Sequence, residues 1–242
     1  MKLIRNELIK LFKKKNIYIF LFIIFCFIFY TNYFYKYKVD APLSNIETIF
    51  LNLFSEYELL IIIFCIFITS NIFEYKGTLK QLLIFPYNRL EILISKFISS
   101  IVMLLFIILY IFIVQIVISR IFFVFDLDIS VFINNTYLNG YIYLLKVFLS
   151  KLPMYIIYIL MSMFLCIITG NSGLNNIILL INYIIITPIS SNIKILDYFI
   201  NSNCDFSMYL FNNIPIKVLF IYIIYFLMFS IGSYIIFDKK NI

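Results

Sequence analysis

The residues with the most pronounced chemical character lie between 74 and 96, a net-basic island set between two long apolar runs. Leu79, Leu82 and Leu83 recur at helical spacing, while Lys76 and Lys80, four residues apart, line another face. Residues 77–85 are therefore expected to form a short helix lying at a membrane surface. Pro86 stops it, because proline has no N–H with which to continue the ladder. Asn88 with Glu91 three residues later is a capping-box arrangement, and Tyr87 against Ile92 fits the accompanying apolar staple, so the next helix should start near Arg89. The chemistry open to such a segment is docking: an apolar leucine face beside cations. The alternative is a solvated connector that obeys the positive-inside rule.

Residues for bond-making chemistry are missing. No G-x-x-x-x-G-K-[ST] phosphate loop occurs, so the chain does not hydrolyse ATP by that route. There is no H-E-x-x-H, nucleophile elbow or Cys-His pair. His is absent, which removes the commonest metal ligand and general base. Cys26, Cys65 and Cys166 lie in apolar runs and Cys204 in a loop, with neither metal-ligand nor disulfide-framework spacing, so they are read as packing residues. Intramembrane carboxylate pairs, the usual proton or sodium relay, are also missing, which leaves backbone-coordinated ions as the open route to ion coupling. No catalytic, cofactor or metal residue is expected. Polar groups within the apolar runs include Thr69, Ser99, Gln115, Ser162, Asn175, Asn176 and Asn182. They are expected to bond neighbouring helices, with Gln115 and Asn182 doubling as candidate polar groups of a cavity.

The elements that carry these residues follow from composition. Of 242 residues 64% are hydrophobic and 13% charged, with a mean hydropathy of +1.05, far outside the range of soluble domains. The expected class is all-α: a single polytopic membrane domain over 1–242 with six transmembrane helices, at 17–35, 57–73, 97–118, 152–169, 174–191 and 215–237. The second and fifth are short for a bilayer, so their ends are the least defined. On a helical wheel Met1, Ile4, Leu8, Leu11 and Phe12 share one side, and Lys2, Asn6, Lys10, Lys13 and Lys14 the other, so residues 1–15 are expected to form an interfacial helix. Whether that helix only anchors the chain or also meets a partner is open.

With the N-terminus inside, twelve of the 19 Lys and Arg fall on the inner side, which sets N- and C-termini in the cytoplasm. The net charge of +7 then suits anionic inner-leaflet lipids and needs no nucleic acid. Residues 120–151 are expected to form an outer-surface elbow, and Gly170-Asn-Ser-Gly173 a tight inner turn whose glycines accept positive φ. Residues 192–214 carry an apolar stripe, Ile193, Leu196, Phe199 and Ile200, and are expected at the outer surface or dipping into the outer leaflet. Pro153 and Pro188 are candidate bends or helix ends. The richness in Ile, Phe, Tyr, Asn and Lys fits an AT-rich bacterial genome.

Glu74, Tyr75, Lys76, Gly77, Thr78, Leu79, Lys80, Leu82, Leu83, Pro86, Arg89, Ser95 and Lys96 resemble the loop between the second and third spans of type-2 ABC exporter permeases. The opening stretch with Leu3, Asn6, Glu7, Leu8, Lys10, Leu11, Lys13, Lys14 and Lys15 is similar to that family's first helix. The resemblance implies that residues 74–96 hold a cytoplasmic coupling helix seated on a separate ABC ATP-binding subunit, which carries ATP-Mg. Gly77 and Pro86 would bound the lever, Leu79, Leu82 and Leu83 would dock it, and Lys76, Lys80 and Arg89 would pair with acids or phosphates. It further implies two permease chains, as a homodimer or heterodimer, in a bacterial plasma membrane. Among such permeases the passenger would be an antimicrobial peptide, as in bacteriocin, lantibiotic or bacitracin self-protection. The alternative is a membrane immunity or scaffold protein that works without ATP.

Overall fold

The computed structural model describes residues 2–38, 46–73, 88–122, 130–133, 136–186 and 214–239. Helix α1, Lys2–Phe12, is separated from α2, Lys15–Lys38, by a tight turn in which Lys14 N donates to Leu11 O and Ile17 N to Lys14 O. Helix α3 is Ile46–Phe73 and α4 is Arg89–Phe122. A hairpin of β1, Ser130–Ile133, and β2, Thr136–Asn139, follows, antiparallel with Ser130 opposite Asn139. Helix α5 spans Gly140–Thr169 and α6 Ser172–Ile181, which passes into a π-helical turn at Asn182–Ile186; α7 is Ile216–Lys239.

Helices thus cover all six apolar stretches, the fifth as far as Ile186. Four of them, at Lys15–Phe34, Arg89–Phe122, Phe148–Thr169 and Ile216–Lys239, are long and apolar enough to cross a membrane; Tyr57–Asn71 and Ser172–Ile184 are shorter apolar stretches. The described fold is all-α apart from this one short hairpin. One expectation is corrected: 120–151 is not a single elbow, because Val131 lies opposite Leu138 and Phe132 opposite Tyr137 in the hairpin, and α5 then starts at Gly140, twelve residues before the expected 152. Pro153 lies inside α5 without ending it. Residues 74–87 and 187–213, with the coupling helix and most of the outer segment, lie outside the described residues.

Side-chain pairings give the direction of each helix. Phe20 meets Phe64 and Phe67, and Phe27 meets Tyr57, so α2 and α3 run antiparallel. Tyr110 Oη donates to Leu21 O and Phe122 packs on Phe29, so α4 runs with α2. Glu58 pairs with Lys151 and Thr69 with Ser162, which sets α5 parallel to α3. Asn175 bonds Ser162 and Tyr183 bonds Glu58, so α6 returns along α5; Phe229 on Phe164 and Arg89 on Phe237 bring α7 back down. The six helices alternate. We call the end holding α1 basal and the other distal.

The buried face of α4 shows why the sequence packs this way. Ile92, Lys96, Ser99, Met103, Ile107, Ile111, Gln115 and Ile118 recur every three or four residues and are buried, whereas Leu105, Leu109, Ile113 and Val117 between them are exposed. Exposed apolar side chains cover α2 and α7 as well, including Phe22, Ile23, Phe220, Ile224 and Met228. A water-facing surface does not hold that much apolar area; a hydrocarbon one does. Gly232 lets α7 approach α5, since a Cβ there would stand 2.8 Å from the Phe164 ring.

Candidate functional site

Of the residues expected to couple to a partner, Glu74, Lys76, Gly77, Thr78, Leu79, Lys80, Leu82, Leu83 and Pro86 lie outside the described residues, and Arg89 lies within them. What the structure does describe is the frame on either side of that segment. At its start, Asn71 near the end of α3 receives Lys14 Nζ at 3.0 Å on Oδ1 and 3.3 Å on its carbonyl oxygen. Past its end, Asn88 N donates to Glu91 Oε2 at 3.3 Å and Ile92 N to Asn88 O, so α4 begins at Arg89 with a half-formed capping box. Arg89 then reaches across to α7. Its Nη1 donates to Phe237 O at 3.2 Å and also to Asp238 O. A guanidinium at a helix C-terminus satisfies carbonyls that have no partner within the helix and meets the negative end of the dipole.

The first helix closes the same basal end. Asn6, Lys10 and Lys13 are exposed, as the wheel places them, and Lys14 is half-buried in its bond to Asn71. Glu7 is turned inward, where its Oε2 lies 3.6 Å from Lys96 Nζ and its Oε1 3.4 Å from Lys10 Nζ. Lys96 is 1% exposed. Phe12 seats edge-on against Phe106, which fixes α1 along α4. Lys96 could have been found earlier from its register, since it falls on the i, i+3, i+4 stripe that buries Ile92 and Ser99. That its partner would be Glu7 has no signal in local spacing.

Polar groups inside the bundle meet each other in three clusters. Gln115 is buried; its Oε1 accepts from Tyr57 Oη at 2.9 Å and from Asn32 Nδ2 at 3.1 Å, which ties α4 to α3 and α2. Thr31 Oγ1 lies 3.2 Å from the same Tyr57 hydroxyl. One residue along α3 from Tyr57, Glu58 is bonded by Lys151, and Tyr183 Oη donates to its Oε1 at 3.0 Å. This second ion pair escapes a sequence reading because Glu58 and Lys151 sit just outside the uncharged cores of their helices. Nearer the basal end Thr69 meets Ser162, and Asn175 Nδ2 donates to Ser162 Oγ and to Cys166 Sγ, each at 3.0 Å. Asn182 stands at the head of the π-helical turn, its backbone N–H directed to Ile178 O and Leu179 O.

Among the described residues, no group of three or more His, Cys, Asp or Glu is placed to hold a metal ion. The polar atoms that the structure brings together link helices, and the basal ones frame residues 74–87.

None of the curated proteins compared with the chain matches it. Residues 3–173, well over half of the chain, match the family model described as "ABC-2 family transporter protein", a stretch that takes in α1, the 74–87 segment and the whole of α5. The chain accordingly belongs to the ABC-2 transporter family, as a multi-pass membrane protein of a family whose permeases generally work with an ATP-binding subunit.

Proposed function

We propose that the chain is the membrane-spanning subunit of an ATP-driven exporter in a bacterial plasma membrane. It crosses six times with both termini in the cytoplasm. Hydrolysis takes place on the separate subunit that holds ATP-Mg, and residues 77–85 of the 74–96 loop seat in that subunit as the coupling helix, through Leu79, Leu82 and Leu83. Two permease chains, identical or paired, line the pathway. The observation that carries this reading is that one family match runs through both family-like segments, α1 and the 74–96 island. The excess of Lys and Arg on the basal side supports the orientation. The passenger we infer is an amphipathic antimicrobial peptide, since the helices offer broad apolar surfaces with few polar groups.

The test is to isolate the tagged chain gently from its own host's membranes beside a Leu82→Asp/Leu83→Asp variant. An ATP-binding subunit should accompany the native chain and be lost from the variant. Absence of any ATPase from the intact native chain would refute the reading and favour an ATP-independent immunity or scaffold protein. The passenger is tested separately, by comparing inhibitory concentrations of a peptide panel on deletion and complemented strains; equal sensitivity throughout would count against a peptide.

A further inference from the structure

Arg89 stands one residue beyond Asn88, immediately past the 74–87 segment, yet its guanidinium holds the last carbonyls of α7, 148 residues away in sequence. Toward that end α7 otherwise meets α5 through apolar contacts, Phe229 on Phe164 and Gly232 beneath the Phe164 ring. Apolar contacts within hydrocarbon resist sliding weakly, because lipid tails are as apolar as the side chains they replace. A charge-assisted bond to two successive carbonyls resists it more strongly. We propose that Arg89 is a positioning residue that transmits movement of the coupling segment to α7, so that the drive reaches the last helix of the chain directly as well as through α3 and α4. The proposal rests on the reading of residues 77–85 as the coupling helix.

Two features argue against a capping role alone. A capping residue need only be near the helix it caps, and Lys239 already stands in the last turn of α7. Arg89 instead comes from the first turn of α4, whose start is fixed to Asn88 by backbone bonds and which is buried a turn or two later at Ile92 and Lys96. The guanidinium therefore joins two helix ends that are both committed to the bundle. A tilt at the start of α4 becomes a displacement at the end of α7.

The experiment uses the complex of this chain with the ATP-binding subunit that accompanies it, with spin labels at Leu90 and Lys239 and the native cysteines replaced. The distance between the labels is measured without nucleotide and after trapping with ATP and vanadate. In the native background that distance should be the same in both states, and each label should shift relative to a third at Lys217 at the distal end. In Arg89→Ala and Arg89→Gln the 90-to-239 distance should change on trapping, with export lowered about tenfold and Arg89→Lys restoring part of it. A variant distance that stays constant on trapping, or a native distance that changes, would overturn the proposal. If the native chain brings down no ATPase at all, the coupling-helix reading itself fails and this proposal with it. A variant that merely loses stability would lower yield without uncoupling the two labels.

Discussion

Lys96 and Glu7 place opposite charges 3.6 Å apart at the basal end of the bundle, between α4 and α1. With 1% of Lys96 exposed, water contributes little to its solvation, and the carboxylate is what makes its burial tolerable. Removing Lys96 leaves the buried Glu7 carboxylate with the half-exposed Lys10 as its remaining counter-charge. Lys96→Met alone should lower stability by about 3 kcal/mol, and Lys96→Met with Glu7→Gln should recover most of that loss. Denaturant unfolding of the three proteins in lipid nanodiscs would show it, and a single variant as stable as the native chain would contradict it.

Gln115 accepts hydrogen bonds from both Tyr57 and Asn32, so replacing it leaves two buried donors without their acceptor. Gln115→Leu should cost about 1–2 kcal/mol, and Gln115→Leu with Tyr57→Phe less than the sum of the separate changes, as expected for a shared network. A double-mutant cycle on thermal unfolding measures the coupling. Strict additivity would mean the cluster is not energetically linked.

Tyr183 and Lys151 both reach Glu58, but by different chemistry. Tyr183→Phe removes one neutral donor and should cost about 1 kcal/mol, whereas Lys151→Met leaves a carboxylate with its counter-charge gone and should cost about 3 kcal/mol. The ranking is the prediction, readable from midpoint shifts in the same denaturant. An inverted order would mean that Glu58 is solvated in the membrane.

Gly232 should tolerate no side chain while Phe164 keeps its place, since the added carbon would come within 2.8 Å of the ring. Gly232→Ala is expected to destabilise by about 1–2 kcal/mol and Gly232→Leu by more, with Phe164→Ala relieving the clash in the double variants. Side-chain cross-linking between α5 and α7 would fall in parallel. Undiminished cross-linking in Gly232→Leu would place the helices farther apart than described.

Much of this architecture was legible one residue at a time. Asn88 and Glu91 mark where α4 begins, Gly170 does take the positive φ of 63° that a tight turn needs, and each apolar stretch falls on a helix, although α3, α4 and α5 begin eight to twelve residues before the expected spans. These are local properties, decided by periodicity and by which backbone angles a residue accepts. Glu7 with Lys96, Glu58 with Lys151 and Arg89 with the carbonyls of α7 were not legible, because each joins elements whose register depends on how whole helices pack. The β1–β2 hairpin is hard to read in the sequence for a related reason: two four-residue strands give too short an alternation to stand out. At the candidate site, residue types were readable and their partners were not.

The link between α5 and α6 has a consequence for how the chain is made. Only Gly170 and Asn171 separate the two helices, with Asn171 Oδ1 accepting from Gly173 N, so the turn is too short to let one helix wait while the other finds its place. The two helices are therefore expected to enter the membrane together, with Ser162 and Asn175 facing each other across the turn. A chain halted after Thr169 would leave Ser162 with Thr69 but without Asn175.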